Sequence, residues 1–490
     1  MKCIKKSFSI LMVLTVVGSL LTGCQQNPDS AVVISKNDGR FDANAVISAS
    51  ESNEPDATQE VHNVDSFFST DESVEFNIQI DNTLTKANMP VLEVVPHYIT
   101  EAEVKTVAHA LFGNAVFYEW QHWKDEEPTK SEIQAKINRW SEFTNQEAID
   151  ALWGVPKIDS VPVVKMFIDE YTKRLESAQE KNNKEECQWT YKKAPYYLFS
   201  AEEAMSYNST KEDDMIKATL NVNGVPFTFQ AGSRNQDDYK ANYFRAYIES
   251  DSPLGIDKRY YTAKLCRTEK PTSDQISAVL KKAETILSEM DLGEWIINNY
   301  EVSEVLYGDT QEFTIIVNAV PSLMGIPTIH QALVSNLTAS DVYSSNYQIS
   351  NCQFQFSANG DLIYFTLDSP IDIKEVINEN VAVISISELL DLAKNNLKHS
   401  SFFQYDTQMQ TDPESKNVKC KIYINETKYA LARIRVPDTE ENYYYVPSLT
   451  IYGDAEFYNK TTDEFYFSNN GLTLLSLNAV DGTIINATNG

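Results

Sequence analysis

The sequence predicts an α+β fold in two domains, with antiparallel sheets packed by helices. Three observations lead there. Stretches with a two-residue apolar period recur along the chain, and some meet at Asn-Gly turns. Helical stretches with recognisable caps fall between them. The two kinds are interleaved without the strand–helix–strand beat that a doubly wound parallel sheet requires. With 490 residues, 42% hydrophobic and 23% charged, the chain can bury real cores, which excludes a wholly disordered protein.

The N-terminus reads as an export signal, residues 1–23. Lys2, Lys5 and Lys6 precede an apolar run at 8–21, too short for a comfortable membrane span. Leu21-Thr22-Gly23-Cys24 follows and resembles the lipobox of bacterial lipoproteins. The resemblance implies cleavage before Cys24 and lipidation of that cysteine by diacylglyceryl and palmitate chains. The expected location is the extracytoplasmic face of the cell membrane. Residues 24–63 are then a flexible acidic tether, with seven acids against Lys36 and Arg40.

Residues 64–270 are read as the first domain. Val74, Phe76, Ile78 and Ile80 alternate with polar residues, and 91–95 form a second strand closed by Pro96. Thr100-Glu101-Ala102-Glu103 is a capping box, and the helix it opens stops at Gly113. Further helices are expected from Thr129, with Ile133, Ile137 and Trp140 in register, and over 161–179. Ile216 to Val222 and Val225 to Phe229 flank Asn223-Gly224, a tight hairpin. Residues 239–250 and 259–266 are expected to be strands.

Residues 271–490 are read as the second domain. A strong amphipathic helix starts after Pro271 and buries Ile276, Val279, Leu280, Ala283, Ile286, Leu287 and Met290. Strands are expected at 301–306 and 312–320, then a Gly325-Ile326-Pro327 loop. A hairpin turns at Asn359-Gly360-Asp361, and Ser385 to Glu388 cap a short helix. Strands at 419–424, 429–436, 443–452 and 472–477 complete the set. Asp481-Gly482 is a turn that pairs Leu477 with Ile484 and Ile485.

This second part resembles the PepSY-like and YycI-type family of Gram-positive surface proteins. The resemblance rests on the helix ending Ser288 to Gly293 before Trp295, Gly325-Ile326-Pro327, Val446-Pro447 leading to Tyr452-Gly453, and Asn478-Ala479-Val480-Asp481-Gly482-Thr483-Ile484-Ile485. Relatives often carry an aromatic two residues after the proline, where this chain has Leu449. The whole chain is similar to a group of uncharacterised two-domain clostridial-type lipoproteins. What the resemblance implies is a non-enzymatic protein that restrains a peptidase or tunes a sensor kinase by protein contact.

The residues themselves carry no catalytic motif: no GxSxG, Walker loop, HExxH or EF-hand loop is present, and no zinc spacing of Cys and His. No cofactor or metal is expected. A charge of −29 argues against nucleic acid as a partner. Cys187, Cys266, Cys352 and Cys420 form either two disulfides, Cys187 with Cys266 and Cys352 with Cys420, or four buried thiols. Trp120, His122 and Trp123 offer a stacking surface, unless they pack a small lobe. Tyr443 and Tyr445 share one face of a strand and suit an interface or the solvent side of a sheet. The expected function is a lipid-anchored protein that binds and regulates or supports another envelope protein. The alternative is a lipoprotein that captures a substrate or glycan.

Overall fold

The computed structural model describes residues 58–485 except 62–65, 71, 73, 79–81, 86–88, 122–126, 154–159, 181–183, 196–211, 237–238, 249–252, 267, 308–309, 330–349, 400–417 and 436–441. The signal and Cys24 lie outside the described residues. β1 (Thr58–Val61), β2 (Phe67–Phe68), β3 (Val74–Ile78), β4 (Asn82–Thr85) and β5 (Val91–Pro96) lead to α1 (Glu101–Phe112). β6 (Tyr118–Glu119) precedes three helices, α2 (Lys130–Ser141), α3 (Gln146–Trp153) and α4 (Ser160–Ser177). Then come β7 (Lys192–Pro195), β8 (Glu212–Val222), β9 (Val225–Gln236), β10 (Tyr239–Ile248), α5 (Ile256–Leu265) and α6 (Ser273–Glu289). β11 (Trp295–Tyr307), β12 (Thr310–Leu323), β13 (Ile326–Pro327), β14 (Asn351–Ser357), β15 (Leu362–Asp368) and β16 (Ile371–Asn378) follow. The chain ends with α7 (Ile386–Leu397), β17 (Val418–Arg435), β18 (Tyr443–Asn459) and β19 (Phe465–Asn478).

Local chemistry sets most of these boundaries. Thr100, Thr129 and Thr272 each cap a helix: the side-chain oxygen accepts the amide of the residue three positions on, and the threonine's own amide donates to that residue's side chain, satisfying donors the first turn leaves open. Asn223 and Gly224 both take positive φ, which matches the twist of the β8–β9 hairpin. At the C-terminus Gly482 has φ 72°, its amide donates to the Asn478 carbonyl, and Leu477 bridges Ile484. The sequence reading of that ending as a turn holds.

The fold is α+β with two large sheets. A ten-stranded sheet runs β11-β12-β14-β15-β10-β9-β8-β6, with β13 on β12 and β7 on β8. A seven-stranded sheet runs β16-β5-β18-β17-β3-β2, with β19 on β18. All named pairings are antiparallel except β3 with β17. Among the described residues no helix is long and apolar enough to cross a membrane.

Both sheets draw strands from each side of residue 270, so the division into 64–270 and 271–490 is corrected. Tyr243 of β10 pairs with Asp368 of β15, Val94 of β5 with Ile373 of β16, and Phe76 of β3 with Ile422 of β17. Pro271 and Thr272 punctuate the start of a helix, not the edge of a core. Val104, Val107 and Leu111 of α1 and Val279, Ala283 and Ile286 of α6 share one apolar cluster beneath the ten-stranded sheet.

The expected strand at 259–266 is a helix, α5. Its aromatic and β-branched composition favours a strand locally, but tertiary ion pairs decide otherwise. Arg259 donates to both carboxylate oxygens of Glu312 at 2.8 Å, with both side chains buried. Asp257 accepts from Trp140 Nε1 at 3.1 Å and from Arg139. The segments expected as 419–424 and 429–436 are one strand, β17, broken only by a bulge at Asn425.

The disulfides are also corrected: all four cysteines are free thiols. Cys352 lies in the core of the ten-stranded sheet and Cys420 in that of the seven-stranded sheet, which separates the second pair. They serve as small apolar side chains. Burial pushes the Cys187 and Cys352 thiols up and the Cys266 thiol up to about 12.

Candidate functional site

The two faces of the ten-stranded sheet differ in kind. Alternate residues point to opposite sides of a strand, and directly paired residues share a side. One side carries Ile315, Val317, Phe354, Phe365, Phe244, Phe229 and Ala218, all in the main apolar cluster. The other side is polar across its width.

The pairing register builds that polar side in rows. One row runs Asn299, Asn318, Gln353, Thr366, Arg245, Gln230 and Lys217, each the direct partner of the next on the neighbouring strand. The Trp120 amide donates to the Lys217 carbonyl and extends the row by one residue. The next row runs Glu301, Ile316, Gln355, Tyr364, Tyr247, Thr228, Thr219 and Tyr118. None of these residues joins an apolar cluster. Most are half-buried; Thr228, Thr366 and Asn318 are buried, and Asn299 and Glu301 are exposed.

Hydrogen bonds run along the rows and hold the side chains in place. Asn318 Nδ2 donates to Asn299 Oδ1 at 2.8 Å, and Gln353 Nε2 to Asn318 Oδ1 at 3.0 Å. Gln355 Nε2 donates to Thr314 Oγ1, and Tyr247 Oη to Gln230 Oε1 at 3.4 Å. Arg245 lies 3.9 Å from Asp368 and stacks over Tyr243. Gly232 lets the Tyr243 ring cross β9, since a Cβ there would meet Tyr243 Oη at 2.7 Å. Burial raises the Tyr364 hydroxyl above its ordinary value, so this phenol stays neutral and can donate.

A second polar constellation sits where the sheets meet. His97, just past β5, bonds Asp372 of β16 through Nδ1 at 2.9 Å and Glu103 of α1 through Nε2 at 3.0 Å. Its carbonyl accepts from Asn242 Nδ2 of β10 at 2.7 Å. With both ring nitrogens on carboxylates, the imidazole acts as a clasp and has no nitrogen turned to a substrate. Burial works against the Glu103 charge, but the Thr100 amide and hydroxyl and the His97 ring outweigh it and hold this carboxyl below 4.5. Among the described residues no group of His, Cys, Asp and Glu is placed to hold a metal ion.

The sequence-derived candidates are placed as follows. Trp120 lies at the end of the polar row, with Lys217 Nζ 3.5 Å above its ring. His122 and Trp123 lie outside the described residues. Tyr443 and Tyr445 are corrected: they are buried, packed with Leu92, Val94 and Leu431, and offer no surface. They sit on a central strand whose partners β5 and β17 flank it, so their side is core. The polar rows escaped sequence reading because each strand contributes only one or two of their members. The only local trace was Gln353-Phe354-Gln355-Phe356, which alternates amide with aromatic.

No family model and no curated protein matches the chain. Among solved structures, an uncharacterized protein from Eubacterium rectale is similar to it over 87% of this chain and 94% of its own, at 11% identity and a TM-score of 0.34.

Proposed function

We propose that this is a non-catalytic lipoprotein, anchored through Cys24 outside the cytoplasmic membrane, that binds another envelope protein through the polar rows of its ten-stranded sheet. The resemblance to PepSY-like and YycI-type proteins belongs to this proposal and suggests a sensor kinase or a peptidase as the partner. The observation that carries the reading is the composition of the rows. In a chain with 70 acids, the two rows hold one, Glu301, beside Arg245, Trp120, Tyr118, Tyr247 and Tyr364. Arginine and aromatics are what protein interfaces gain, and acids are what they lose. Glycan capture is less well supported, because Lys217 already occupies one face of the Trp120 ring.

The test is a photo-crosslinking side chain at Tyr247 in the full chain on its native membranes. A discrete protein adduct that disappears with Arg245→Glu is the expected result. Adducts only from Met166, exposed on α4 and not a member of the rows, would overturn the assignment.

A further inference from the structure

The edges of the two sheets are not defended equally. A strand edge presents unpaired amides and carbonyls, and proteins normally blunt it with bulges, charge, proline or brevity. β16 carries two register breaks within eight residues, together with Asp372, Lys374 and Glu375. β19 breaks register three times against β18. β2 and β6 have two residues each, and β7 ends in Pro195 after Lys192 and Lys193. β11 is different. It has 13 residues and pairs with β12, and among the described residues no strand pairs with its outer side. Its single bulge, at Asn298, is held by Lys428 of β17 at 2.8 Å.

Between Ile296 and Glu304 the exposed residues are Ile296, Asn299, Tyr300, Glu301 and Glu304, so this strand shows both apolar and acidic groups. Ile296 and Tyr300 are exposed at 44% and 48%, large values for such side chains. Tyr300 pairs with Val317 and so belongs to the helix-covered side, whereas Glu301 pairs with Ile316 and ends a polar row. Glu301 and Glu304 are exposed. Any strand added here would continue both faces of the sheet at once.

We propose that the partner docks by adding an extended segment to β11, with apolar residues against Tyr300 and Val302 and a basic residue against Glu301. This deepens the function proposed above and rests on it. Main-chain bonds to the edge supply affinity, and alternate side chains supply selectivity. A second copy of this chain fits less well, since it would bring its own Glu301 and Glu304 to an acidic edge.

The test uses the whole mature protein and a synthetic peptide in which valine alternates with threonine and lysine. Amide exchange over 295–307 should slow on binding, and the same peptide methylated on alternate backbone nitrogens should not bind. Glu301→Lys should weaken binding by about threefold to fivefold, the scale of one exposed ion pair, and Tyr300→Lys should weaken it further. Slowed exchange at 371–378 instead, no slowing anywhere, or concentration-dependent pairing of the protein with itself would overturn the edge assignment. The two readings fail separately. An adduct at Tyr247 with a silent β11 sinks only strand addition, whereas silence at both sinks the binding function too.

Discussion

The ten-stranded sheet and the seven-stranded sheet bury themselves by different rules. In the first, one face carries the core under α1 and α6, and the opposite face carries amides, tyrosines and Arg245. In the second, the middle strands are apolar on both faces. Leu431, Tyr443 and Tyr445 pack on one side, and Ala430, Ala432 and Val446 pack on the other against Ile329, Val381 and Ile485. A sheet covered on both faces has no side left for recognition and works as framework. The ten-stranded sheet is covered only in part on its other face, where α5 reaches Glu312, and the polar rows occupy the rest. The difference also explains why tyrosine misleads here: the same residue type is core at Tyr445 and polar-face at Tyr247.

The largest expected effects break the comparison within single strands. Phe354→Ala should cost about 3–5 kcal/mol in urea unfolding, the range for a buried phenylalanine, while its neighbour Gln353→Ala should cost about 1 kcal/mol. Equal costs would mean that the polar face is as closely packed as the core, and the contrast would fail. Next comes the ion pair that holds α5 to β12. Arg259→Met strands the buried Glu312 charge and should cost about 3–5 kcal/mol, while Arg259→Met with Glu312→Leu should recover most of the loss. A double variant as unstable as the single one would show that shape, not charge, is what the site needs.

The smallest effect concerns the clasp between the sheets. The Glu103 carboxyl is held below 4.5, so its folded pKa lies under the unfolded one. Its contribution is therefore complete above that unfolded value and drains away as pH falls through the folded one. Glu103→Gln should be less stable than the parent near neutral pH, and the deficit should shrink as pH falls through the folded pKa of Glu103. A deficit that does not change with pH would assign the loss to the capping geometry instead of the charge.

How much was legible varies from segment to segment for physical reasons. Caps, the Asn223-Gly224 hairpin and the closing Asp481-Gly482 turn depend on neighbours within a few residues, and they stand where the sequence reading puts them. α5 and the domain division do not. α5 depends on Glu312 and Arg139, more than fifty and a hundred residues away, and no local pattern reports them. The site candidates divide the same way. Trp120 was visible as a cluster member, but its place in an eight-residue row exists only when seven other strands are paired.

The sequence by itself determined the α+β class, the caps and turns, the buried face of α6, and the absence of familiar catalytic motifs. These follow from periodicity and short-range hydrogen bonding, which the order of residues already contains. Tertiary structure decided the rest: that both sheets weave strands from each half of the chain, that the cysteines stay apart, and that scattered amides and aromatics line up on one face. Those outcomes depend on register between distant strands. One residue of slip would exchange the apolar and polar faces, so only the paired sheet fixes which side is core and which is polar.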